Sequence, residues 1–522
     1  MSNGETGQRP QRKVVRIGVI DLVNKKPTRA LKARALKPNY ASIMPQAVAV
    51  WAEQRGHQVQ YMSYTGFEDL YSEMPRDIDL LFICAFTPAA YLAYSISNFY
   101  RKQKVVTVLG GPHARAFPED ALNYFDYVLG FTDRTVIEDL IRDFSPQTDR
   151  GLLLSAAQQP AELPGVRERW KYIRHNLDKA WLVKGVQILG SLGCPYKCSF
   201  CVDAEVDYQT LPYDQLREDM VFLQQQLKKP LVFWSDPNFG VRFNEYMEVI
   251  ESAAKPGAIR FMAESTLSLL KESNLQRMQR NNFVSMIVGV ESWFGYNNKA
   301  SQGVREGMDK VEAVGEHVDL ITRYIPYVQA NLILGLDVDT GPLPFAASKK
   351  FLDLAPAAIP AYAMFTSYGN SAPLDRQLQS EGRVLDLPFP FLDAQSAINI
   401  KLKNYTYTEF FDHYIDLIRY SFLPRVTWRR FKRNNHSLFS LPRWIYLLRS
   451  KGALGKGRAA YYARFRQQLS TDRELQAFYA GETTAVPSFF SRKIKADMGP
   501  FYDHLPGDIV GYLEKGHPFP GK

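Results

Sequence analysis

Three of the four cysteines of this 522-residue chain, Cys194, Cys198 and Cys201, stand within eight positions. They have C-x3-C-x2-C spacing and directly follow an apolar run at 186–190. Thiolates are the usual ligands of iron–sulfur clusters, and three cysteines on one loop can hold a cubane [4Fe–4S] cluster. Such a cluster has four irons, so one iron lacks a cysteine and is open to a substrate or cofactor. The spacing therefore predicts a [4Fe–4S] site with one open iron.

Zinc binding, a disulfide framework and chance are the competing explanations for these cysteines. Structural zinc usually takes four Cys or His ligands in pairs, and neither a second C-x-x-C nor a nearby histidine completes a set. Disulfide frameworks belong to small secreted proteins, whereas this chain is long and has only 4 cysteines. With so few cysteines, a chance grouping of three is improbable.

Carboxylates recur at the ends of apolar runs in the central part of the sequence. They are Asp236, Glu264, Glu291 and Asp337. One such carboxylate is an ordinary helix cap or loop residue. Four at equivalent positions predict a polar rim around one mouth, because the functional groups of a β/α barrel lie at the carboxyl ends of its strands.

Six apolar runs separated by helix-length segments must position these residues. The runs are 186–190, 231–234, 260–265, 284–292, 329–337 and 361–365. A six-fold strand–helix series predicts a partial (β/α)6 TIM-type barrel, which we assign to residues 181–398.

The N-terminal part shows the same alternation of apolar runs and helical spacing. Its predicted strands are 14–20, 58–62, 79–84 and 105–109. This pattern predicts an α/β, doubly wound, Rossmann-like sheet over 14–145, with its ligand crevice beyond the carboxyl ends of the strands. The polar residues 1–13 predict a disordered tail, and the proline-interrupted stretch 146–180 predicts a linker.

Beyond residue 399 we expect a mostly helical region, 399–522, in which Arg and Lys alternate with aromatic residues and leucine. We expect it to close over the barrel mouth as a lid and to determine substrate choice. The net charge of +10 is densest between Arg425 and Arg466. A basic surface can meet nucleic acid, anionic lipid or a phosphorylated substrate, although a solvated face is the more ordinary explanation. The pattern is compatible with a peripheral membrane contact.

The low cysteine content and the lack of a secretory pattern predict a reducing, cytoplasmic location. No apolar stretch in the sequence reaches the length needed to span a bilayer.

The cysteine spacing, with Phe200 just before the last cysteine, resembles the radical S-adenosylmethionine (SAM) superfamily. The resemblance implies that the open iron would bind the amino and carboxylate groups of SAM. One electron from the cluster would cleave the sulfonium, and the resulting 5′-deoxyadenosyl radical would abstract a hydrogen atom. The cofactors carry this chemistry, and the protein supplies placement and the exclusion of water. A flavodoxin- or ferredoxin-like electron donor is also implied.

Other stretches resemble the SAM-binding motifs of this superfamily. Gly289-x-Glu291-Ser292 is similar to the fourth-strand motif that meets the ribose and methionine parts, and 331–335 to the fifth-strand segment near the adenine. Ser235-Asp236 occupies the place of the second-strand motif that binds the SAM amino group, without its usual glycines. Lys299 matches a recurring lysine of the subgroup. The implied SAM-binding residues are Phe200, Ser235, Asp236, Glu264, Gly289, Glu291, Ser292, Asn331 and Gly335, and Glu264 could instead serve the substrate.

The N-terminal part resembles the cobalamin-binding-like domain that precedes many radical SAM domains. The residues that carry this resemblance are Gly110, Gly111, Pro112, His113 and Gly130. The D-x-H-x-x-G loop that supplies a cobalt-ligating histidine is absent, and the G-E-x-E turn is not kept after Gly130. Members of the class can bind cobalamin without a histidine ligand, so the resemblance still implies a cobalamin site. An empty pocket, or one recruited for substrate, is the alternative.

The resemblance implies cobalamin-dependent methylation of an unactivated carbon in a small-molecule or natural-product substrate. A radical SAM cyclase or rearrangement enzyme without cobalamin is one alternative, and a non-catalytic iron–sulfur or corrinoid-binding protein is another. An RNA-modifying methylthiotransferase would need three further cysteines, and only Cys84 is left. We therefore expect no nucleic-acid partner, and we expect a monomer.

Overall fold

The computed structural model describes residues 14–28, 41–181, 183–295, 306–434 and 453–517, with side chains from residue 457 onward in the last range. Its two large sheets have six parallel strands each, and a short antiparallel ladder follows the first strand of the second sheet. This architecture confirms the predicted α/β fold class.

The first sheet has the strand order β2-β1-β3-β4-β5-β6, and all its strands are parallel. Its strands are β1 (Arg16–Leu22), β2 (Gln58–Tyr64), β3 (Leu80–Ala85), β4 (Val106–Gly110), β5 (Tyr127–Leu129) and β6 (Leu152–Leu154). Its helices are α1 (Ile43–Gln54), α2 (Leu70–Glu73), α3 (Ala90–Arg101), α4 (Pro112–Ala116), α5 (Pro118–Ala121) and α6 (Arg134–Arg142). Strand β1 is buried on both faces after its first residue, as expected for a parallel sheet with helices on both sides.

The predicted linker 146–180 is in fact structured. It contains β6, which pairs with β5 at the edge of the first sheet, and a helix α7 (Val166–Lys179). The buried Arg169 of α7 donates to the side-chain oxygen of Gln46 on α1, at 2.8 Å. The sequence concealed these elements because β6 has only three residues and because prolines stand on either side of it.

The second sheet keeps its strands in sequence order, β7-β10-β11-β12-β13-β14, as a partial (β/α)6 barrel requires. Its strands are β7 (Gly185–Ile188), β10 (Leu231–Trp234), β11 (Arg260–Thr266), β12 (Phe283–Glu291), β13 (Tyr327–Leu334) and β14 (Ile359–Met364). The helices that follow these strands are α8 (Tyr213–Gln226), α9 (Phe243–Ala253), α10 (Glu272–Arg280), α11 (Gly307–Tyr324), α12 (Leu343–Leu354) and α13 (Pro373–Ser380). Sequential parallel strands with crossovers of one hand place all these helices on the same face.

The opposite face of this sheet, called the inner face below, is left open. Burial alternates along the strands: Ala263, Val288 and Ala330 are buried on the helix side, whereas Glu264 is exposed and Asn331 half-buried on the inner face. Side chains of the inner face are therefore available to ligands.

The C-terminal helices are α14 (Tyr407–Ser421), α15 (Pro424–Arg433), α16 (Ala453–Thr471), α17 (Arg473–Ala480), α18 (Ser488–Met498) and α19 (Gly507–Lys515). Helix α14 covers the open edge of β14, where the Tyr414 hydroxyl donates to the Tyr362 carbonyl at 3.1 Å. Helix α15 lies at the amino end of the barrel strands, because Arg430 donates to the carbonyl of Ala358, just before β14, at 3.0 Å. Within the described residues, no helix is long and apolar enough to cross a membrane.

The lid over the barrel mouth stays a prediction, and these placements show that parts of the C-terminal region lie elsewhere. Helix α15 lies at the other end of the barrel, and the chain after α18 packs on the first domain. There Asn98 donates to the His504 carbonyl at 2.8 Å, and the Tyr124 hydroxyl donates to Asp508 at 2.7 Å. These aromatic-rich helices bury their apolar faces against edges that the two sheets leave open. Residues 435–452 of the predicted helical region 399–522 lie outside the described residues.

The carboxyl ends of the two sheets face each other across an aromatic cluster. Phe389, which follows α13, lies 5.4 Å from Tyr91, 4.8 Å from His113 and 4.7 Å from Phe117, measured between ring centroids. The loop directly after β14 meets the same place, where the Asn370 N–H donates to the Ala116 carbonyl at 3.3 Å. The rings of this cluster that belong to the first domain follow β3 and β4. The cluster therefore fixes how the two sheets' ligand edges meet.

Replacing Phe389 with alanine should destabilise the protein strongly, because Phe389 is 1% exposed and fills this interface. We expect a loss of about 3–5 kcal/mol in the free energy of unfolding, measured by urea denaturation. Phe86→Ala is the matched control, since Phe86 follows β3 at the same edge but is 44% exposed. Equal losses in the two variants would contradict the assignment of this cluster as the domain contact.

Candidate functional site

The cysteine loop begins after β7 and is closed at its base by a two-stranded ladder. Strands β8 (Ser191–Leu192) and β9 (Gln209–Thr210) pair antiparallel there. Gly193 has φ +67°, and a Cβ on it would overlap the Asp207 carbonyl oxygen. Only glycine fits this position, since it alone adopts positive φ without a side chain to accommodate. The loop that holds the cysteines is therefore tightly closed at its base.

None of the three cysteines of the loop forms a disulfide; Cys194 and Cys198 are buried, and Cys201 is half-buried. The backbone N–H of Cys201 donates to the Cys198 carbonyl at 2.9 Å, which makes a tight turn. In the described part of the chain, no three His, Cys, Asp or Glu side chains converge on one point where a single metal ion could bind. A cubane cluster binds each cysteine through a different iron, so its thiolates need not converge. This donor set fits a cluster better than a zinc ion.

Asp236 anchors the start of this loop to the next barrel strand. Its carboxylate is completely buried and accepts hydrogen bonds from the Gly190 N–H at 2.7 Å, the Ser191 hydroxyl at 2.6 Å and the Tyr246 hydroxyl at 2.6 Å. Burial raises the pKa of Asp236, and these donors partly oppose the shift. The predicted SAM contact of Asp236 is therefore corrected: its oxygens already bind the protein, and it positions the cysteine loop.

Glu264 is the carboxylate that the structure leaves available on the inner face. It pairs in register with Ile287 of β12 and is exposed to the open side of the sheet. The surrounding protein nevertheless raises the pKa of Glu264 through desolvation. A carboxylate in this setting can bind a ligand's ammonium group or exchange a proton with it.

The end of β12 is locally strained around the predicted ribose motif. Glu291 has φ +64°, which is uncommon for a residue with a side chain, and the register shifts between Gly289 and Glu291. The Glu291 carboxylate folds back over Gly289 and lies where the Cβ of any other residue at position 289 would stand. Such strain often accompanies a functional site. Ser292 is 2% exposed and its hydroxyl accepts from the Phe294 N–H at 3.2 Å, so its predicted SAM contact is corrected to a turn-forming role.

The predicted adenine segment lies at the end of β13. Asn331 is half-buried on the inner face and accepts from the Gln329 side-chain amide at 2.9 Å. Gly335 is buried with φ +88°, and its N–H donates to Asp339 at 2.9 Å. Burial raises the pKa of Asp339 to about 7. The sequence analysis missed Asp339, although its position just beyond a strand end is the same signal that singled out Asp337.

Asp337 itself is held by two cations. Arg383 approaches it at 2.6 Å and Lys403 at 3.0 Å. Desolvation by partial burial would by itself raise the pKa of Asp337. The hydrogen bonds and the positive charges of Arg383 and Lys403 together outweigh this effect, so the pKa of Asp337 is lowered. The predicted rim of four free carboxylates is therefore corrected: Glu264 faces open space, while Asp236 and Asp337 serve the fold.

The remaining predicted SAM residues lie near the cysteine loop. Phe200 is half-buried within the loop. Ser235 is half-buried at the end of β10, and its N–H donates to the Ile188 carbonyl of β7 at 2.9 Å. Ser285, which the sequence analysis missed, has a buried hydroxyl with no hydrogen-bond partner. Lys299 lies outside the described residues.

The predicted cobalamin residues lie at the carboxyl edge of the first sheet. Gly110 ends β4, where a Cβ would touch only Leu129, at 3.9 Å. Gly130 follows β5, with the Ser155 hydroxyl 2.7 Å from the place of a Cβ, and Pro112 is exposed. Gly111 has φ +92°, and a Cβ there would meet the Cys84 sulfur at 2.8 Å. His113 is 0% exposed and bonds the Tyr94 hydroxyl at 2.6 Å, so its predicted cofactor contact is corrected to a core position. Burial lowers the pKa of His113 to about 3.

Comparison with known proteins places this arrangement among the radical SAM proteins, although no protein-family model matches the chain. Two curated proteins of Chlorobaculum tepidum are similar in sequence. Bacteriochlorophyllide d C-12(1)-methyltransferase is 22% identical over 304 residues, 56% of this chain and 65% of that protein. Bacteriochlorophyllide d C-8(2)-methyltransferase is 26% identical over 199 residues, 34% of this chain and 41% of that protein. The match spans less than two thirds of either relative.

Two solved structures share the fold. TsrM of Kitasatospora setae, a radical SAM methyltransferase with cobalamin and a [4Fe–4S] cluster bound, superposes with a TM-score of 0.50 and 16% identity over 71% of this chain and 75% of that one. OxsB, a cobalamin-dependent SAM radical enzyme, superposes with a TM-score of 0.54 and 12% identity over 97% of this chain and 81% of that one. These findings confirm the resemblance found in the sequence: the chain has the fold of cobalamin-dependent radical SAM proteins.

Replacing Asp236 with alanine should impair cluster incorporation, because three buried donors would lose their acceptor at a cost of about 1–3 kcal/mol each. We expect the iron content after anaerobic reconstitution to fall by at least about half. Asp236→Asn keeps one acceptor oxygen and should retain more iron. Asp337→Ala is the control, since Asp337 also follows a barrel strand but pairs with Arg383 away from the loop. The positioning role is refuted if Asp236→Ala holds as much iron as Asp337→Ala.

Proposed function

We propose that this protein binds a [4Fe–4S] cluster through Cys194, Cys198 and Cys201, cleaves SAM, and uses cobalamin to methylate an unactivated carbon. The observation that carries this proposal is the cysteine loop: three cysteines, none of them in a disulfide, stand on one loop after the barrel strand β7. Such a site leaves one iron for a cofactor. The fold shared with radical SAM methyltransferases supports the same conclusion.

The bound groups would supply a 5′-deoxyadenosyl radical from SAM and a methyl group carried by cobalamin. The protein residues would bind, orient and shield these groups. The loop anchored by Asp236 keeps the thiols at the barrel mouth. On the inner face, Glu264 would accept hydrogen bonds from a cationic group of SAM or of the substrate. The Glu291 carboxylate, which lies over Gly289 at the end of β12, would accept hydrogen bonds from the ribose hydroxyls of SAM.

Cobalamin would lie between the facing carboxyl edges of the two sheets, beside Gly110 and Gly130. A Cβ on Gly110 would touch only Leu129, at 3.9 Å, so the end of β4 leaves room for a large planar ring, and the exposed Pro112 borders the same edge. No histidine is proposed as a cobalt ligand, since His113 is in the core. This burial also supports the second candidate, a radical SAM cyclase or rearrangement enzyme whose N-terminal domain holds no cobalamin.

A small molecule or natural product is the proposed substrate class, and a flavodoxin- or ferredoxin-like protein is the proposed electron donor. We place this reaction in the reducing cytoplasm, where free thiols such as these persist. The proposed active unit is a monomer.

Replacing Cys194, Cys198 and Cys201 with alanine should abolish iron and sulfide binding and the formation of 5′-deoxyadenosine, since no thiolate would then hold the cluster. Both quantities are measured after anaerobic reconstitution with a chemical reductant. Cys84→Ala is the matched control and should keep both, because Cys84 lies in the first domain at the end of β3. A triple variant that still binds its full iron and cleaves SAM would refute the proposal.

Replacing Gly110 with phenylalanine should block cobalamin, because the new ring would extend into the open space beyond β4. We expect binding of hydroxocobalamin, followed by its absorption spectrum after gel filtration, to fall at least about tenfold, which corresponds to 1.4 kcal/mol. Gln58→Phe, at the exposed amino end of β2, is the control and should bind normally. If the wild-type protein binds no cobalamin while still cleaving SAM, the cyclase or rearrangement reading replaces the methyltransferase.

A further inference from the structure

Positive charge is concentrated in one segment of the chain. Residues 417–471 contain 13 arginines and lysines and no aspartate or glutamate. The whole chain has a net charge of +10, so the excess positive charge lies within this segment and the rest of the chain is slightly acidic. A charge imbalance of this kind indicates an electrostatic partner.

Helix α15 is the part of this segment with the most clearly exposed cations. It carries five arginines and lysines and no acid. Arg430 is buried and bonds the Ala358 carbonyl, and Arg429 is paired with Asp353. Arg425, Lys432 and Arg433 are exposed instead. Two cations serve the fold, and three point to solvent.

An exposed tryptophan lies among these three cations. Trp428 is 55% exposed, and Lys432 lies 5.4 Å from the centre of its ring. Leu423, just before the helix, is 36% exposed. Arg425, Trp428 and Lys432 are spaced i, i+3 and i+7, which places them on one side of a helix. We call Leu423, Arg425, Trp428, Lys432 and Arg433 the basic aromatic face.

The chemistry of this face favours lipid over nucleic acid. Tryptophan beside lysine and arginine is typical of membrane–water interfaces, where the ring sits at headgroup level. The sequence that follows, residues 435–452, has eight aromatic or aliphatic residues, three arginines and lysines, and no acid. Leucine and isoleucine side chains gain little free energy from contact with phosphates or bases, but they are stabilised by contact with the acyl chains of a bilayer.

We propose that the basic aromatic face docks the protein on an anionic lipid bilayer. The face lies at the amino end of barrel strands β13 and β14, because Asn434 beside it bonds the Pro326 carbonyl at 2.6 Å and Arg430 bonds that of Ala358. Docking there leaves the barrel mouth, with its cysteine loop, turned away from the bilayer. This inference is independent of the proposed chemistry.

The test is flotation of the full-length protein with vesicles of 7:3 phosphatidylcholine and phosphatidylserine. About one third of the lipid in these vesicles is anionic. Each lysine or arginine near such a surface raises the partition coefficient about fivefold. We expect binding that weakens as salt rises. Arg425→Gln, Lys432→Gln and Arg433→Gln together should reduce the partition coefficient about 100-fold. Trp428→Ala alone should reduce it at least several-fold.

The control variant replaces three exposed lysines on the first domain and on α19, which packs against it, Lys102→Gln, Lys104→Gln and Lys515→Gln, and should bind vesicles like the wild type. This control distinguishes an effect of the basic aromatic face on binding from an effect of the protein's net charge. Circular dichroism checks that each variant is folded. The proposal is overturned if the wild type binds pure phosphatidylcholine equally well, or if both triple variants lose binding alike. It is also overturned if a single-stranded RNA binds more tightly than the anionic vesicles, since the face would then be a nucleic-acid surface.

Discussion

A single buried carboxylate, Asp236, connects the start of the cysteine loop to the strand and helix beside it. Its oxygens bind one backbone N–H and two hydroxyls from β7, β8 and α9. A carboxylate removed from water must be fully hydrogen-bonded or it destabilises the fold. The three donors that converge on this one carboxylate fix the start of the loop. The thiols of the loop are thus held in place before any cofactor arrives, which is what a cluster site requires.

The second constraint is that parallel strands end at a common edge. Both large sheets obey it, and the aromatic cluster around Phe389 brings their two ligand edges together. One edge carries the cysteine loop and the inner face with Glu264. The other carries the glycines at 110 and 130. Two ligand-binding edges that face each other provide a shared space, whereas the same edges on separate domains would not.

The C-terminal helices show how the protein protects the open edges of its sheets. An uncovered strand edge exposes unpaired backbone groups, and α14 covers β14 for that reason. The chain after α18 and helix α19 then reach the first domain and bind it through polar contacts at Asn98 and Tyr124. Helix α15 lies at the far end of the barrel. Different parts of this region therefore brace a sheet edge, the contact between the domains and the far end of the barrel.

The sequence alone determined the cysteine site, the α/β class and the order of the barrel strands, because all three depend on local spacing and on apolar runs. It did not determine which polar residues remain available. Asp236 and Glu264 end similar apolar runs, yet one is buried among donors and the other faces open space. His113 likewise follows a strand end but belongs to the core. Whether a side chain meets a ligand or the protein depends on residues far away in the chain, and only the tertiary structure brings those residues together.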